Sequence, residues 1–410
     1  MNDDIKEKIA YLIEYNRELI YKKNKNTNYR ILEFIKLNNM NFIDSRTYHK
    51  MINGKILYDD DIYFFFLKKL NLLVIDERNE YSELNKLCVN CTLFYKNHDN
   101  KAYKQSLEIL DNFLEKRKNY IYFKELYFIV HSMHRNYESI LYEDITNIEE
   151  FIKLQKIFPL DFQPILADFI FAYYLHADFK NIESFKVYYF STYETDYVKF
   201  NNVIYLTRLH QIIAAFRVLE TINYEKSNSI EWKLDCLIAK FNLLILFDRE
   251  KSRDVINEIK KLINVMNLDK STEANTYYNI LLAYYASELY SEAYEITKYL
   301  IGFENYELID DIYVLHIYLA SKLNKEVIGI SWDKKSNKPS SILLNYFDMK
   351  KAGFSNKDCE KFLLDSDLEK FSKIVYRNIL IEELNYLGEK NRSYSRVLKA
   401  ISRFNTNANK

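Results

Sequence analysis

The chain has 410 residues with 58 basic and 58 acidic side chains, so its formal net charge is zero and no global field steers it toward nucleic acid or an anionic membrane. Hydrophobic residues make up 48% and charged residues 28%, enough for a sizeable core, yet there are only five glycines and three prolines. Sandwiches, barrels and doubly wound sheets need many tight turns and glycine-rich loops, so this scarcity argues against them and for long helices joined by short polar turns.

No run reaches about 18 uninterrupted apolar residues, and the start, Met1-Asn-Asp-Asp, lacks the basic and apolar regions of a signal peptide. Four cysteines are too few for a disulfide framework. The expectation is a cytoplasmic chain with reduced thiols and no membrane association. The 37 tyrosines and 27 phenylalanines are read first as fillers of helix seams, and alternatively as the lining of a peptide groove.

Residues 1–75 read as a separate head. Ile5-KEKIAYLIEYNRELI is amphipathic at helical spacing, and Tyr21-KKNKNTNYR is a basic polar turn after it. Tyr29-RILEFIKLNN predicts a second helix. From residue 21 to 55, Lys22, Lys23, Lys25, Arg30, Lys36, Arg46, Lys50 and Lys55 meet only Glu33 and Asp44, a local positive excess in a neutral chain. Asp44-SRTYHKMINGK predicts a short helix. Asp44 or Ser45 caps it by accepting from a first-turn amide, Tyr48 and Met51 anchor one side, and Arg46, Thr47, His49 and Lys50 point elsewhere. Asn53-Gly54 ends it, with Gly54 left-handed. Asp59-DDIYFFFLKKLNL starts a further helix whose acidic first turn suits the macrodipole.

This stretch resembles the Xre-type helix-turn-helix head, in which a recognition helix ends in an Asn-Gly-Lys turn and another helix closes the bundle. The resemblance implies that Ser45, Arg46, His49 and Lys50, with Thr47 beside them, face the major groove or its rim, and that Lys55 meets phosphate. Arginine suits bidentate contact with guanine, and lysine suits phosphate. A plain helical cap on the body is the other reading.

Residues 80–405 carry an internal repeat. Asp168-FIFAYY, Asn242-LLILF, Asn279-ILLAYY, His316-IYLA, Ser341-ILLNYF, Asn378-ILI and, more loosely, Gln211-IIAAFR each place a polar residue before aliphatic or aromatic ones. The steps from Asn242 to Asn279, from Asn279 to His316 and from Ser341 to Asn378 are each 37 residues, and Asp168 lies three such steps before Asn279. A second run comes after it in several units: Tyr290-SEAYEITKYLI, Tyr103-KQSLEILDNFLE, Phe179-KNIESFKVYY and Ser252-RDVINEIKKLI. Each unit is therefore helix, turn, helix, and stacking such hairpins buries the face that one alone leaves open.

The body resembles tetratricopeptide repeats, best in Thr276-YYNILLAYYASELYSEAYEITKYL, where Ala293 holds the small position of the second helix and Ile280, Leu281 and Tyr284 fall on the packing positions of the first. The resemblance implies that the helix line through Asn275 and Asn279 faces a concave surface. Asp168, Gln211, Asn242, Asn275, Asn279, His316 and Asn378 would then form a ladder able to bond the backbone of an extended peptide, or else one another and water.

Catalytic patterns are missing. Cys88-Val-Asn-Cys91 is the one CxxC, has no second pair at zinc spacing and lies in a helical run, so core cysteines are expected. His131 and His134 are three apart without an acidic partner in a known hydrolase spacing, and are read as packing or surface histidines. No glycine-rich phosphate loop or serine elbow occurs. The expectation is no enzyme, no catalytic residue, no cofactor and no metal.

The expected architecture is all-α, an N-terminal helix-turn-helix-like bundle (1–75) followed by a right-handed tetratricopeptide-like solenoid (80–405). That layout is similar to the peptide-pheromone receptors of Gram-positive bacteria and their phages, the Rgg, PlcR and arbitrium-receptor group. The resemblance implies a cytoplasmic homodimeric transcriptional regulator that binds a short signalling peptide in the solenoid and double-stranded operator DNA through its heads, pairing through hairpins near residues 366–405. The alternatives are a protein-binding adapter without DNA contact and, last, a helical enzyme with an unrecognised site.

Overall fold

The computed structural model describes residues 3–407 apart from 38–39, 76–77, 138–144, 146–147, 267, 304–305, 328–329 and 372. Among these, the regular structure is helical except for one two-stranded hairpin and an isolated bridge. The chain divides into two compact units, residues 1–233 and 234–410.

The first unit contains α1 (Asp3–Asn24), α2 (Ile31–Phe34), β1 (Lys36–Leu37), β2 (Met40–Asn41), α3 (Ser45–Ile52), α4 (Asp60–Lys69), α5 (Arg78–Lys96), α6 (Asn100–Glu115), α7 (Phe123–Arg135), α8 (Ile148–Leu154), α9 (Gln163–His176), α10 (Glu183–Thr192), α11 (Asp196–Arg208) and α12 (Ile212–Leu219). α1 buries Ile5, Ile9, Leu12 and Ile13 at three- and four-residue spacing, and its acidic first turn and basic last turn match the helix dipole.

The helix expected over 29–39 does not form. A 3-10 turn at Thr27–Tyr29 and the single turn of α2 lead into the β1–β2 hairpin, antiparallel with Lys36 opposite Asn41 and Leu37 opposite Met40. β-Branched Ile31 and Ile35 support a helix weakly, and tertiary contacts favour the break. Phe34 and Ile35 are buried, Phe34 against Tyr48 and Phe66. Lys69 Nζ donates to the carbonyls of Phe34 (2.8 Å) and Lys36, serving acceptors that a continuing helix would have used.

No packing boundary separates residues 1–75 from the remainder of the first unit, because one core runs from Ile5 to Tyr205. The Tyr11 hydroxyl donates to the Lys153 carbonyl (2.8 Å), Asn16 Nδ2 donates to Glu125 Oε1 (3.3 Å), and Lys156 Nζ lies 3.4 Å from the Tyr11 ring centroid. Leu73 and Tyr120 form a parallel bridge in which the Ile121 amide donates to the Leu73 carbonyl at 2.8 Å. The two units meet in sequence between Lys233 and Leu234, in the first turn of α13 (Ile230–Phe247).

The second unit continues with α14 (Arg249–Met266), α15 (Lys270–Ala286), α16 (Tyr290–Leu300), α17 (Ile309–Leu323), α18 (Pro339–Lys351), α19 (Asn356–Asp365), α20 (Ile374–Asn391) and α21 (Tyr394–Asn407). Chain neighbours pack on one another: α15 on α16, α16 on α17, α17 on α18, α18 on α19 and α20, and α20 on α21. In the first unit α5, α6 and α7 pack in turn, as do α11 and α12. Ala293, Ile280 and Leu281 are fully buried, as their repeat positions require.

Tyrosine hydroxyls tie these helices together through carboxylates. Tyr48 on α3 donates to Glu14 on α1 (2.7 Å), and Arg17 reaches both Glu14 oxygens at 2.6 Å. Buried Asp311 on α17 accepts from Tyr278 on α15 (2.9 Å), from Tyr376 on α20 and from Lys373 Nζ (2.9 Å). Buried Glu383 on α20 accepts from Tyr346 on α18 (2.5 Å) and from Lys350 (2.9 Å). Burial pushes the Glu14 carboxyl up, but the Arg17 and Tyr48 hydrogen bonds outweigh it and hold it below its ordinary value.

Asp311→Ala is expected to lower the unfolding free energy by about 3 kcal/mol in urea titration, because two tyrosine hydroxyls lose a charged acceptor at once. Lys373→Ala, whose side chain is half exposed, is expected to cost less than about 1 kcal/mol. Equal losses would show that the ion pair, not the tyrosines, holds this junction.

Candidate functional site

α3 forms as its residues predict. Asp44 caps it, accepting from the Thr47 amide (2.8 Å) and hydroxyl (2.6 Å), and these bonds hold the Asp44 carboxyl below its ordinary value. Tyr48 and Met51 are fully buried. Gly54 is left-handed at φ +63°. Its amide donates to the Met51 carbonyl (3.0 Å) and the Lys55 amide to that of Lys50 (2.9 Å), the paired bonds of a Schellman stop. Arg46, His49 and Lys55 are exposed and Lys50 is half-buried. Ser45 is half-buried, and Thr47 is committed to the cap, so its hydroxyl is already donated within the head. The neighbouring hairpin leaves Met40 and Leu37 exposed.

The seven residues expected along a repeat ladder fall into different environments. Asp168 and Gln211 lie in the first unit and the other five in the second. Gln211 is exposed but stands at the N-cap of α12, which packs behind α11, so it is not on the first helix of a hairpin. Its chain enters α12 through left-handed His210, which the aliphatic run alone did not reveal. Asn275, Asn279 and Asn378 are exposed on α15 and α20, and Asn275 Oδ1 accepts from the Tyr306 hydroxyl at 2.5 Å. Asn242 on α13 is half-buried, and its shielded Oδ1 has no hydrogen-bond partner among the described residues.

His316 and Asp168 do not line an open wall. His316 is fully buried in α17, stacked on Tyr294 with ring centroids 5.0 Å apart. The Thr297 hydroxyl donates to the Tyr294 carbonyl (2.7 Å), so His316 Nδ1–H donates to Thr297 Oγ1 (2.9 Å). Burial, with Lys298 nearby, lowers the imidazole to about 4, and it stays neutral. Asp168 is buried in α9. Tyr189 donates to Oδ1 and is itself held by Asn201 Nδ2 (2.7 Å), while Oδ2 has no hydrogen-bond partner among the described residues. Burial pushes this carboxyl up to about 8 against those hydrogen bonds, so it carries a proton at neutral pH.

Two groupings are joined by tertiary contact alone. Asp111 on α6 accepts from Nδ1 of both His131 and His134, each at 3.0 Å, supplying the carboxylate that no local spacing offered. Among the described residues no group of three or more such side chains is placed to hold a metal ion. The second grouping lies beyond α17. The segment 330–338, which turns where the Ser336 amide donates to the Asp333 carbonyl (3.3 Å), crosses α18, where Asn345 Oδ1 accepts from Trp332 Nε1 (3.0 Å) and Asn345 Nδ2 donates to the Lys334 carbonyl (3.0 Å). Lys334 Nζ pairs with Asp348 Oδ2 at 2.6 Å.

Cys88 and Cys91 are free and buried; burial pushes the Cys91 thiol up to about 11 and Cys88 further, so neither is a thiolate at neutral pH. No helix among the described residues is long and apolar enough to cross a membrane. Comparison with known proteins finds no family model, no curated protein and no solved structure that matches the chain.

Asp168 makes a pH test. Its folded value of about 8 lies above the unfolded value of about 3.9. The folded chain therefore holds an extra proton between the two. Stability from this group is whole below the unfolded value and is lost as pH rises through the folded one. Asp168→Asn keeps the neutral shape, so its melting temperature is expected to exceed wild type by a margin that grows from pH 5 to pH 8.5 in calorimetry. A margin independent of pH would mean that Asp168 titrates normally.

Proposed function

We propose that the protein is a helical-repeat regulator that contacts duplex DNA through α3 and responds to a short peptide held along helices of the second unit. The observation that carries the reading is the outer face of α3. Arg46, Lys50 and Lys55 have no ion-pair partner among the described residues, while Tyr48 and Met51 lock the opposite face into the core. A short helix with a fixed back and a free basic front suits phosphate and base-edge contact.

On the peptide side, Asn279 and Asn378 offer exposed amides, which both donate and accept and so match an extended backbone, and Asn275 offers its Nδ2 while its Oδ1 holds the Tyr306 hydroxyl. Asp168 and His316 shape the protein's interior in this reading and contact no ligand. A peptide changes DNA occupancy only by binding one conformation better than another. The homodimer that the sequence resemblance implies sets two α3 helices at one half-site spacing.

The second reading is an adapter that binds protein partners and no DNA. One observation favours it: the hairpin 36–41 takes the place of the helix that, in helix-turn-helix proteins, precedes the recognition helix and crosses the backbone.

Fluorescence anisotropy with a mixed-sequence 30-base-pair duplex separates the two. Wild-type affinity is expected to fall by at least tenfold between 50 and 200 mM salt, and Arg46→Ala/Lys50→Ala to weaken low-salt binding by at least tenfold with a shallower salt slope. Salt-independent binding, or an unchanged double variant, removes the DNA reading.

For the peptide, panning a random decapeptide library on the full chain is expected to yield binders that Asn275→Ala/Asn279→Ala weakens by about tenfold, the worth of one or two hydrogen bonds. Binders indifferent to both asparagines would sink the amide ladder.

A further inference from the structure

The 37-residue pitch that relates Asn242, Asn279 and His316 slips between His316 and Ser341. In that interval α17 ends at left-handed Asn324, and the described residues 330–338 run without regular structure to Pro339, the first residue of α18. A strap stands here in place of a helix. Ile330 and Trp332 rest half-buried on the core of the second unit.

The contacts that hold the strap are those of a bound peptide. One amide, Asn345, takes a side-chain donor from Trp332 and gives a donor to a main-chain carbonyl, that of Lys334. One turn further along α18, Asp348 takes the Lys334 ammonium, which also lies 5.3 Å from the Trp332 ring centroid. Asn345 itself lies one helical turn beyond Ser341, the repeat position of α18. Open clefts flank the strap, one of about 350 Å³ beside Ile317, Ile330, Trp332 and Phe347, and one of about 620 Å³ beside Asn345, Ile342, Phe362 and Lys370.

We infer that residues 330–338 occupy in cis a peptide site on α18, and that the site accepts in trans a peptide that turns as the strap does and carries an aromatic residue followed two positions later by lysine or arginine. The aromatic ring enters beside Ile317 and Phe347, Asn345 holds the main chain, and Asp348 receives the cation. This rests on the peptide part of the proposed function and gives that part a location and a ligand class.

The test uses the full chain and a fluorescein-labelled peptide, Ile-Ser-Trp-Asp-Lys-Lys-Ser-Asn, matching residues 330–337. A tethered strap competes at an effective concentration on the order of millimolar. Trp332→Ala/Lys334→Ala, which frees the strap, is therefore expected to bind the peptide at least tenfold more tightly than wild type by anisotropy. Adding Asn345→Ala is expected to abolish that gain, and a labelled peptide with alanine for its tryptophan is expected not to bind. Far-UV circular dichroism checks that each variant is folded.

Equal affinity for wild type and the freed variant, a gain that survives Asn345→Ala, or no binding to any of the three overturns the inference. Library peptides that depend on Asn279 yet do not compete with the labelled strap peptide would overturn the α18 site while leaving the broader peptide reading in place. If panning yields no peptide at all but the strap peptide behaves as expected, the ladder fails and the α18 site stands.

Discussion

The structure depends on carboxylates placed where helices meet, each capped by a tyrosine hydroxyl. Aliphatic contact alone is non-directional and specifies helix register less sharply than a hydrogen bond does. A buried carboxylate cannot lose its donors without a large penalty, so it fixes register as well as contact. Asp311 gathers α15, α17 and α20 at one point, Glu383 joins α18 to α20, and Glu14 joins α1 to α3. The abundance of tyrosine has its reason here. Its ring supplies buried apolar area and its hydroxyl supplies the bond, so one residue fills a seam and locks it. Where a cation completes the set, as Arg17 does for Glu14, the charge survives burial; at Asp168, where no cation is placed, burial wins and the group is kept neutral.

The same device decides how α3 is held. Its only inward polar group, the Tyr48 hydroxyl, ends on Glu14, whose partner Arg17 also donates to the Tyr29 carbonyl at 2.6 Å. α1 in turn is bonded to α7 and α8 through Asn16 and Tyr11. A shift in those body helices therefore reaches α3 through direct bonds, without a flexible linker to absorb it. Any control of α3 from the rest of the first unit is then a change in packing. Coupling of this kind needs two discrete packings.

Much of this was legible in the sequence, for identifiable reasons. The cap, anchor and stop of α3 are local chemistry: Asp44, Tyr48, Met51 and Gly54 do what their residue types do in any helix. The helical hairpins came from periodicity, the buried position of Ala293 from the tetratricopeptide resemblance, and the coarse all-helical class from the lack of glycine and proline. The hairpin at 36–41 was not legible, because it is stabilised by Lys69, some thirty residues away, serving carbonyls that a helix would have used. The bonds of α1 to Glu125 and Lys153 were hidden likewise, since they span more than a hundred residues. The repeat pattern marked positions, but it did not say which side of a helix is covered. His316 and Asn279 share a repeat position, yet the first is sealed beneath Tyr294 and Thr297 and the second faces solvent. A polar residue before an aliphatic run reads the same whether its partner is a ligand or a neighbouring helix.

The slip in the repeat held more information than the repeat itself. A solenoid that keeps its pitch offers each helix the same neighbours, so a break must be filled by something other than a helix. Here the filling is a polar, lysine-rich stretch that contains Trp332 and stops at Pro339, a composition ill suited to a further helix. A chain outside helix and sheet finds its main-chain partners in its own turns, as the Ser336 amide does on the Asp333 carbonyl, in solvent, or on the surface it crosses. Asn345 supplies one, and an amide is the side chain able to serve a carbonyl and a donor together. Asparagine at that turn of α18 is therefore explained by the strap, whose indole donor and Lys334 carbonyl it serves at once.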